Sequence, residues 1–242
     1  MRTPLLILQT GRPVASMRRH NNFAHWIRVA AGLHGDDVVV VDIAGPEGSG
    51  GDALPTREGF AGVIVTGSGA MVTERRPWSE ACATWLRDAA HAGLPLLGIC
   101  YGHQLLAHAL GGQVGDNPAG REMGTVEVML TADASDDPLF AGLPSRFAAQ
   151  ATHLQTVLAL PDGARLLATS AQDGACAFRW GASAWGVQFH PEFSTTHMRG
   201  YIRAKRDALA SEGLDAASIE DSIRATPCAR RLLRKFVSTA AN

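Results

Sequence analysis

Short apolar runs recur along this chain at residues 5–8, 38–41, 62–65 and 96–99, with polar or helix-patterned segments between several of them. Such runs, bounded by turn signals, read as strands buried on both faces, and their alternation with helices predicts a parallel sheet covered on both sides. One helix is well punctuated. Ser79 is placed to cap it, residues 81–92 carry apolar side chains at helical spacing, and Gly93 with Pro95 stops it before the fourth strand. That strand is expected at the centre of the sheet, and helical spacing resumes after it over 104–110, ending at Gly111 and Gly112.

From Thr125 the pattern changes to short alternating runs at 126–130, 147–149, 166–169, 175–178 and 184–189, separated by Asp, Gly and Pro turns. These predict antiparallel or mixed strands added to the parallel core. Beyond Thr195 the spacing is helical again, with Asp215 or Ser218 starting one helix and Pro227 forcing a break before another over 228–237. The expected fold is an α/β three-layer sandwich with a mostly parallel central sheet, added mixed strands and C-terminal helices. One domain over 1–242 is expected, with a core over 1–193 and a helical extension over 194–242. No internal repeat is present.

Composition narrows the function classes. At 242 residues, 46% hydrophobic and 19% charged with a net charge of −1, the chain has the balance of a soluble enzyme and no basic field for nucleic acid or anionic membrane. Cys82, Cys100, Cys176 and Cys228 lack paired spacing, which argues against a disulfide framework or zinc site and fits a reducing cytoplasm. The apolar run near the amino terminus is too short for a signal peptide and reads as the first strand, and no run approaches membrane-spanning length. The glycine-rich stretch 45–51 reads as a flexible surface loop; no Lys-Ser/Thr follows it, so it is no phosphate cradle.

Chemistry concentrates in two places. Gly98-Ile99-Cys100-Tyr101-Gly102-His103-Gln104 sets a thiol between glycines where the fourth strand turns into a helix. Unpaired amides at a helix mouth favour thiolate, and flanking glycines permit a sharp turn: the geometry of a nucleophile elbow. Far downstream, Gln188-Phe189-His190-Pro191-Glu192 follows a strand and delivers an imidazole and a carboxylate two residues apart. An imidazole that takes and returns the thiol's proton, steadied by a carboxylate on its far nitrogen, is what cysteine chemistry needs.

On these two motifs the chain resembles the class I, triad-type glutamine amidotransferases, which carry Gly-x-Cys-x-Gly-x-Gln and a later His-Pro-Glu in this order; it is similar to the glutaminase domain of GMP synthetase and its free-standing relatives. The resemblance spans most of the chain up to about Glu192. It implies Cys100 as nucleophile, His190 as general base and acid and Glu192 as its orienter. It further implies an oxyanion hole from the amides of Tyr101 and Ser68, the latter in Thr66-Gly67-Ser68-Gly69, where Gly69 replaces the family's proline. Gln104 matches the glutamine that contacts the substrate's amino-acid end. Thr152, His153 and Leu154 align with a segment that, with Gly67 and Gly69, grips the substrate.

The implied reaction is hydrolysis of glutamine's side-chain amide through a thioester, with neither cofactor nor metal. A separate synthetase subunit is the implied partner, since the chain shows no acceptor domain. A stand-alone γ-glutamyl hydrolase or peptidase is the alternative, and a non-catalytic regulatory module a second. A dienelactone-hydrolase-type elbow is disfavoured because its acid precedes its histidine. Oligomeric state is not read from the sequence. His20, His25, His103 and His108 lack ligand-like spacing and are expected as surface or helix residues.

Overall fold

The computed structural model describes residues 3–241; Met1, Arg2 and Asn242, which the 1–242 boundary includes, lie outside the described residues. A nine-stranded sheet forms the middle layer. Its parallel half comprises β1 (Leu5–Gln9), β2 (Val38–Asp42), β3 (Gly62–Val65), β4 (Leu96–Ile99) and β11 (Ala184–Val187), ordered β2-β1-β3-β4-β11. The antiparallel half continues through β10 (Ala177–Trp180), β9 (Ala164–Thr169), β6 (Glu122–Leu130) and β7 (Arg146–His153). The elbow's strand β4 therefore sits centrally between β3 and β11, as its apolar character requires.

Strand period two sorts the apolar side chains between the layers. Leu5 and Ile7 face one side with Leu97 and Ile99, where α1 (Phe23–Ala31) and α7 (Pro227–Ala240) pack. Leu6, Leu8, Val63 and Val65 face the other, against α2 (Pro77–His91) and α3 (Tyr101–Ala109). The segment expected as a C-terminal extension is thus built into the core: Leu232, Leu233 and Phe236 of α7 are fully buried beside α1. Its other helices, α4 (Thr195–Ala204), α5 (Arg206–Ser211) and α6 (Ala216–Asp221), build a third cluster. There Met198, Tyr201 and Ile202 meet Phe23 and Phe193. Asp215 caps α6 through Ala217 N–H, and Pro227 opens α7 as its first helical residue.

Several expectations need correction. Helix α2 begins at Pro77 with Arg76 as its cap, because a proline at the first position presets the helical φ; Ser79 lies inside the first turn and its hydroxyl meets the Tyr101 hydroxyl at 2.6 Å. The 45–51 loop is not loose. Amides of Gly50, Gly51 and Asp52 bond back to Ala44, Ile43 and Asp42, and Trp78 Nε1 donates to the Gly48 carbonyl at 3.0 Å. A second sheet of β5 (Gln113–Asp116) and β8 (Gln155–Ala159) is not visible in the apolar pattern, since β5 is short, polar and largely exposed. His103 lies in a helix as expected but is fully buried against Phe178, its pKa lowered by burial to about 4.

Candidate active site

The C-terminal ends of parallel strands are where α/β sheets build sites, and here they converge. Cys100 follows β4 as the cap residue of α3 with φ 53 and ψ −102, a left-handed strained backbone for a residue with a Cβ. Close packing enforces the turn. A Cβ at Gly98 would lie 2.3 Å from the Gly102 carbonyl oxygen, and one at Gly102 would lie 2.4 Å from that of Val65. At either position a side chain would force the backbone of the turn to move. Cys100 is 6% exposed, its amide anchored to the Val187 carbonyl at 2.8 Å and its Sγ 3.9 Å from the Thr152 carbonyl.

His190 and Glu192 follow β11, the strand beside β4. His190 Nδ1 pairs with Glu192 Oε1 at 2.8 Å, which leaves Nε2 for Cys100. Burial alone would lower the His190 pKa, but the charges of Glu192 and Cys100 outweigh it and raise the imidazole to about 10. The ring is stacked on Phe193 with centroids 4.1 Å apart, so its orientation is fixed by packing as well as by the carboxylate. Glu192 is fully buried and its Oε2 has no hydrogen-bond partner among the described residues.

The turn after β3 faces this pair. A Cβ at Gly67 would meet His190 Cε1 at 3.0 Å and Cys100 Cβ at 3.8 Å, so the glycine lets the turn approach both. Thr10 at the end of β1 pins it, its hydroxyl donating to the carbonyls of Thr66 at 2.8 Å and Gly67 at 3.1 Å. Among the described residues no backbone hydrogen bond takes up the amides of Ser68 or Tyr101. Ser68 Oγ closes the turn by accepting from Ala70 N–H at 3.1 Å, a local tie at the place where Gly69 stands.

A cleft of about 270 Å³ opens over Cys100, and Ser68, Gly69, Tyr101, Gln104, Thr152, His153, Leu154 and His190 all line it. Every candidate site residue except Gly67 and the buried Glu192 thus reaches one cavity. Gln104 is buried rather than solvent-facing, its amide nitrogen donating to the Gln155 carbonyl at 2.6 Å and Gln188 Oε1 at 3.0 Å. Leu154 is the single residue at which the chain leaves β7 for β8, so the cleft floor is a hand-over between sheets.

His153 is a packed histidine: Nε2 meets Glu122 Oε2 at 2.9 Å and lies 3.8 Å from Asp173 Oδ2. Glu122, His153 and Asp173 bring ligand-type atoms within 4.8 Å of one another, the one such group among the described residues. The Glu122 oxygens are engaged by His153 and by the Ser170 hydroxyl at 2.5 Å, while Asp173 Oδ2 has no hydrogen-bond partner among the described residues. Sequence reasoning missed the cations around the cleft, Arg12, Arg18, Arg121 and Lys205. The only available signal is that Arg12 and Arg18 lie beyond the end of β1, where such sites form. Lys205 reads in sequence as part of a solvated helix face. All four cysteines are free, and burial pushes the Cys82 thiol up to about 12. No helix among the described residues is long and apolar enough to cross a membrane.

A family model described as Glutamine amidotransferase class-I matches residues 11–206. The chain is 42% identical over 142 residues to a GMP synthase (glutamine-hydrolyzing) of Thermomicrobium roseum, covering 58% of this chain and 25% of that protein. It is 40% identical over 146 residues to the Aeropyrum pernix protein of the same name, covering 60% and 26%. The chain thus spans about a quarter of the length of these curated relatives. Among solved structures, a glutamine amidotransferase from Thermotoga maritima matches with TM-score 0.77 at 23% identity, covering 100% of both chains. A glutamine amido transferase from Methylobacillus flagellatus matches with TM-score 0.70 at 20% identity, covering 98% of this chain and 95% of that one. These two likenesses bear on the fold.

Proposed function

The chain belongs to the class-I glutamine amidotransferases, and from that footing we propose that it hydrolyses glutamine's side-chain amide through a γ-glutamyl thioester on Cys100. The observation that carries this reading is the Cys100, His190 and Glu192 constellation on a strained elbow, with two uncommitted amides beside it. His190 takes the thiol proton and Cys100 attacks the amide carbonyl. The developing oxyanion rests on the amides of Ser68 and Tyr101, each such donor contributing on the order of 3 kcal/mol at the transition state. His190 returns the proton to departing ammonia, then activates water to release glutamate. Glu192 holds the ring and balances the imidazolium, consistent with the raised His190 pKa.

Gln104, Gly67, Gly69 and the 152–154 segment hold the substrate's amino-acid end. The ammonia goes to a separate synthetase chain, and the match to about a quarter of each GMP synthase supports this reading. Ammonia and glutamate release from glutamine by the purified chain is the test. Turnover that is lost in Cys100→Ser and His190→Ala and weakened in Glu192→Ala supports the mechanism, whereas an unchanged rate in Cys100→Ser refutes it.

A further inference from the structure

Beneath the floor of the cleft, two buried acids share one source of positive charge. Glu122 opens β6 and His153 closes β7, and the two stand opposite each other in the antiparallel register. Asp173 joins them from the turn after β9, which the Ser170 amide closes on the Asp173 carbonyl at 2.8 Å. The three side chains are at most 5% exposed, and their ligand-type atoms lie within 4.8 Å of one another. Among the described residues no Lys or Arg pairs with either carboxylate, so His153 is the one ion-pair partner of both.

The tautomer of His153 is set from outside the group. Its Nδ1 lies 3.0 Å from the Gln155 carbonyl oxygen, which can only accept, so Nδ1 carries a proton. A neutral ring then turns its Nε2 lone pair toward Glu122 Oε2, 2.9 Å away. Two acceptors stand that close only with a cation between them, a proton or a metal ion. Asp173 decides between the two. Its Oδ1 accepts from Ala175 N–H at 2.8 Å, but Oδ2, 3.8 Å from His153 Nε2, has no hydrogen-bond partner among the described residues. A proton on Nε2 serves Glu122 and leaves this buried oxygen bare, at a large desolvation cost. A divalent ion serves both carboxylates and brings the charge of the group to zero. Zinc bonds of about 2.0–2.2 Å set tetrahedral ligand atoms about 3.3 Å apart, and the separations of 2.9 and 3.8 Å bracket that spacing. The Nδ1 bond to a backbone carbonyl is also the outer support that metal-bound histidines use.

We propose that Glu122, His153 and Asp173 bind a divalent transition-metal ion, Zn²⁺ or Mn²⁺, as a structural clamp. The ion joins β6, β7 and the turn after β9 directly beside Thr152 and Leu154, and it enters from the cleft, which His153 lines. It touches no reacting atom, so the thioester chemistry on Cys100 neither needs it nor tests it.

The test loads the chelator-stripped chain with Zn²⁺ or Mn²⁺ and reads metal content after gel filtration, Tm and, for zinc, the X-ray absorption spectrum. One ion per chain is expected, with Tm raised by about 5–11 °C at a hundredfold excess of free metal over Kd. The zinc spectrum should show one imidazole, oxygen atoms and no sulfur. Asp173→Asn, which keeps the acceptor for Ala175 N–H, and Glu122→Gln should each lose the ion and the rise in Tm. A folded wild type that retains neither metal would overturn the proposal and assign the cation to a proton. So would sulfur or a second imidazole in the zinc spectrum, which would place the ion elsewhere, or undiminished binding by a folded variant. Metal content and spectrum are read on the wild type, so the result stands even where a variant fails to fold.

Discussion

Gly102→Ala should damage both stability and catalysis without touching a reacting group. The added Cβ would lie 2.4 Å from the Val65 carbonyl oxygen and 2.8 Å from Val65 Cβ, where ordinary contact begins at 3.4 Å. Helix α3 and strand β3 must therefore part by about 1 Å, an overpacking that costs about 1–3 kcal/mol. For a chain of this size that lowers Tm by about 2–12 °C. Helix propensity acts in the opposite direction, favouring alanine by up to about 1 kcal/mol, and Gly102 has no positive φ that would penalise the change. The sign of the shift thus decides between packing and propensity. The same parting moves the Tyr101 amide away from the Ser68 turn that follows β3, and a misplacement of about 1 Å can lower the rate about a hundredfold. Thermal unfolding followed by circular dichroism, together with kcat/KM for glutamine, measures both effects. Gly35→Ala, whose Cβ meets nothing within 4 Å, is the control. A raised or unchanged Tm with unchanged kcat/KM in Gly102→Ala would refute the close-packing account of the elbow.

The His190 pKa, raised from 6.5 to about 10, makes stability pH-dependent with a definite sign. The native state holds a proton that the unfolded chain releases, so this contribution is complete below pH 6.5 and is lost as pH rises toward 10. Tm of the wild type should decline more steeply across that window than Tm of Glu192→Gln; parallel slopes would contradict the pairing. Glu122→Ala strips His153 and Ser170 of a buried charged acceptor, which should cost about 3–5 kcal/mol and lower Tm by about 6–20 °C. A Tm near that of the wild type in calorimetry would show the network to be dispensable. Alkylation under native conditions should leave Cys82 and Cys176 unmodified, because burial holds both thiols well above their ordinary range. Peptide mapping that finds them modified as fast as Cys100 would overturn that view.

Sequence pattern carries four of the five parallel strands, β11 reading with the added mixed ones, and the chemical core of the site, and the reasons are physical. Strands β1, β3 and β4 are buried on both faces, so their apolar runs stand out, and turns, caps and elbows advertise themselves through Gly, Pro and Asp. Legibility fails where polar residues are buried. Glu122, Gln150 and His153 extend β6 and β7 past their apolar runs because hydrogen bonds, not apolar contacts, satisfy them. The cationic wall is hidden for another reason: Arg18 and Lys205 lie in the segment before α1 and after α4, and only the folded chain brings them to one cleft. The fully buried α7 reads as part of an extension because its amphipathic pattern says that it packs, not against what.

The central claim is that Cys100 accepts the γ-glutamyl group. A diazoketone analogue of glutamine, followed by mass spectrometry of the intact protein and its peptides, tests this most directly. The account predicts one adduct per chain, located on Cys100, slowed by glutamine and absent from Cys100→Ser. A folded wild type that turns over glutamine yet takes the label elsewhere, or not at all, would contradict it.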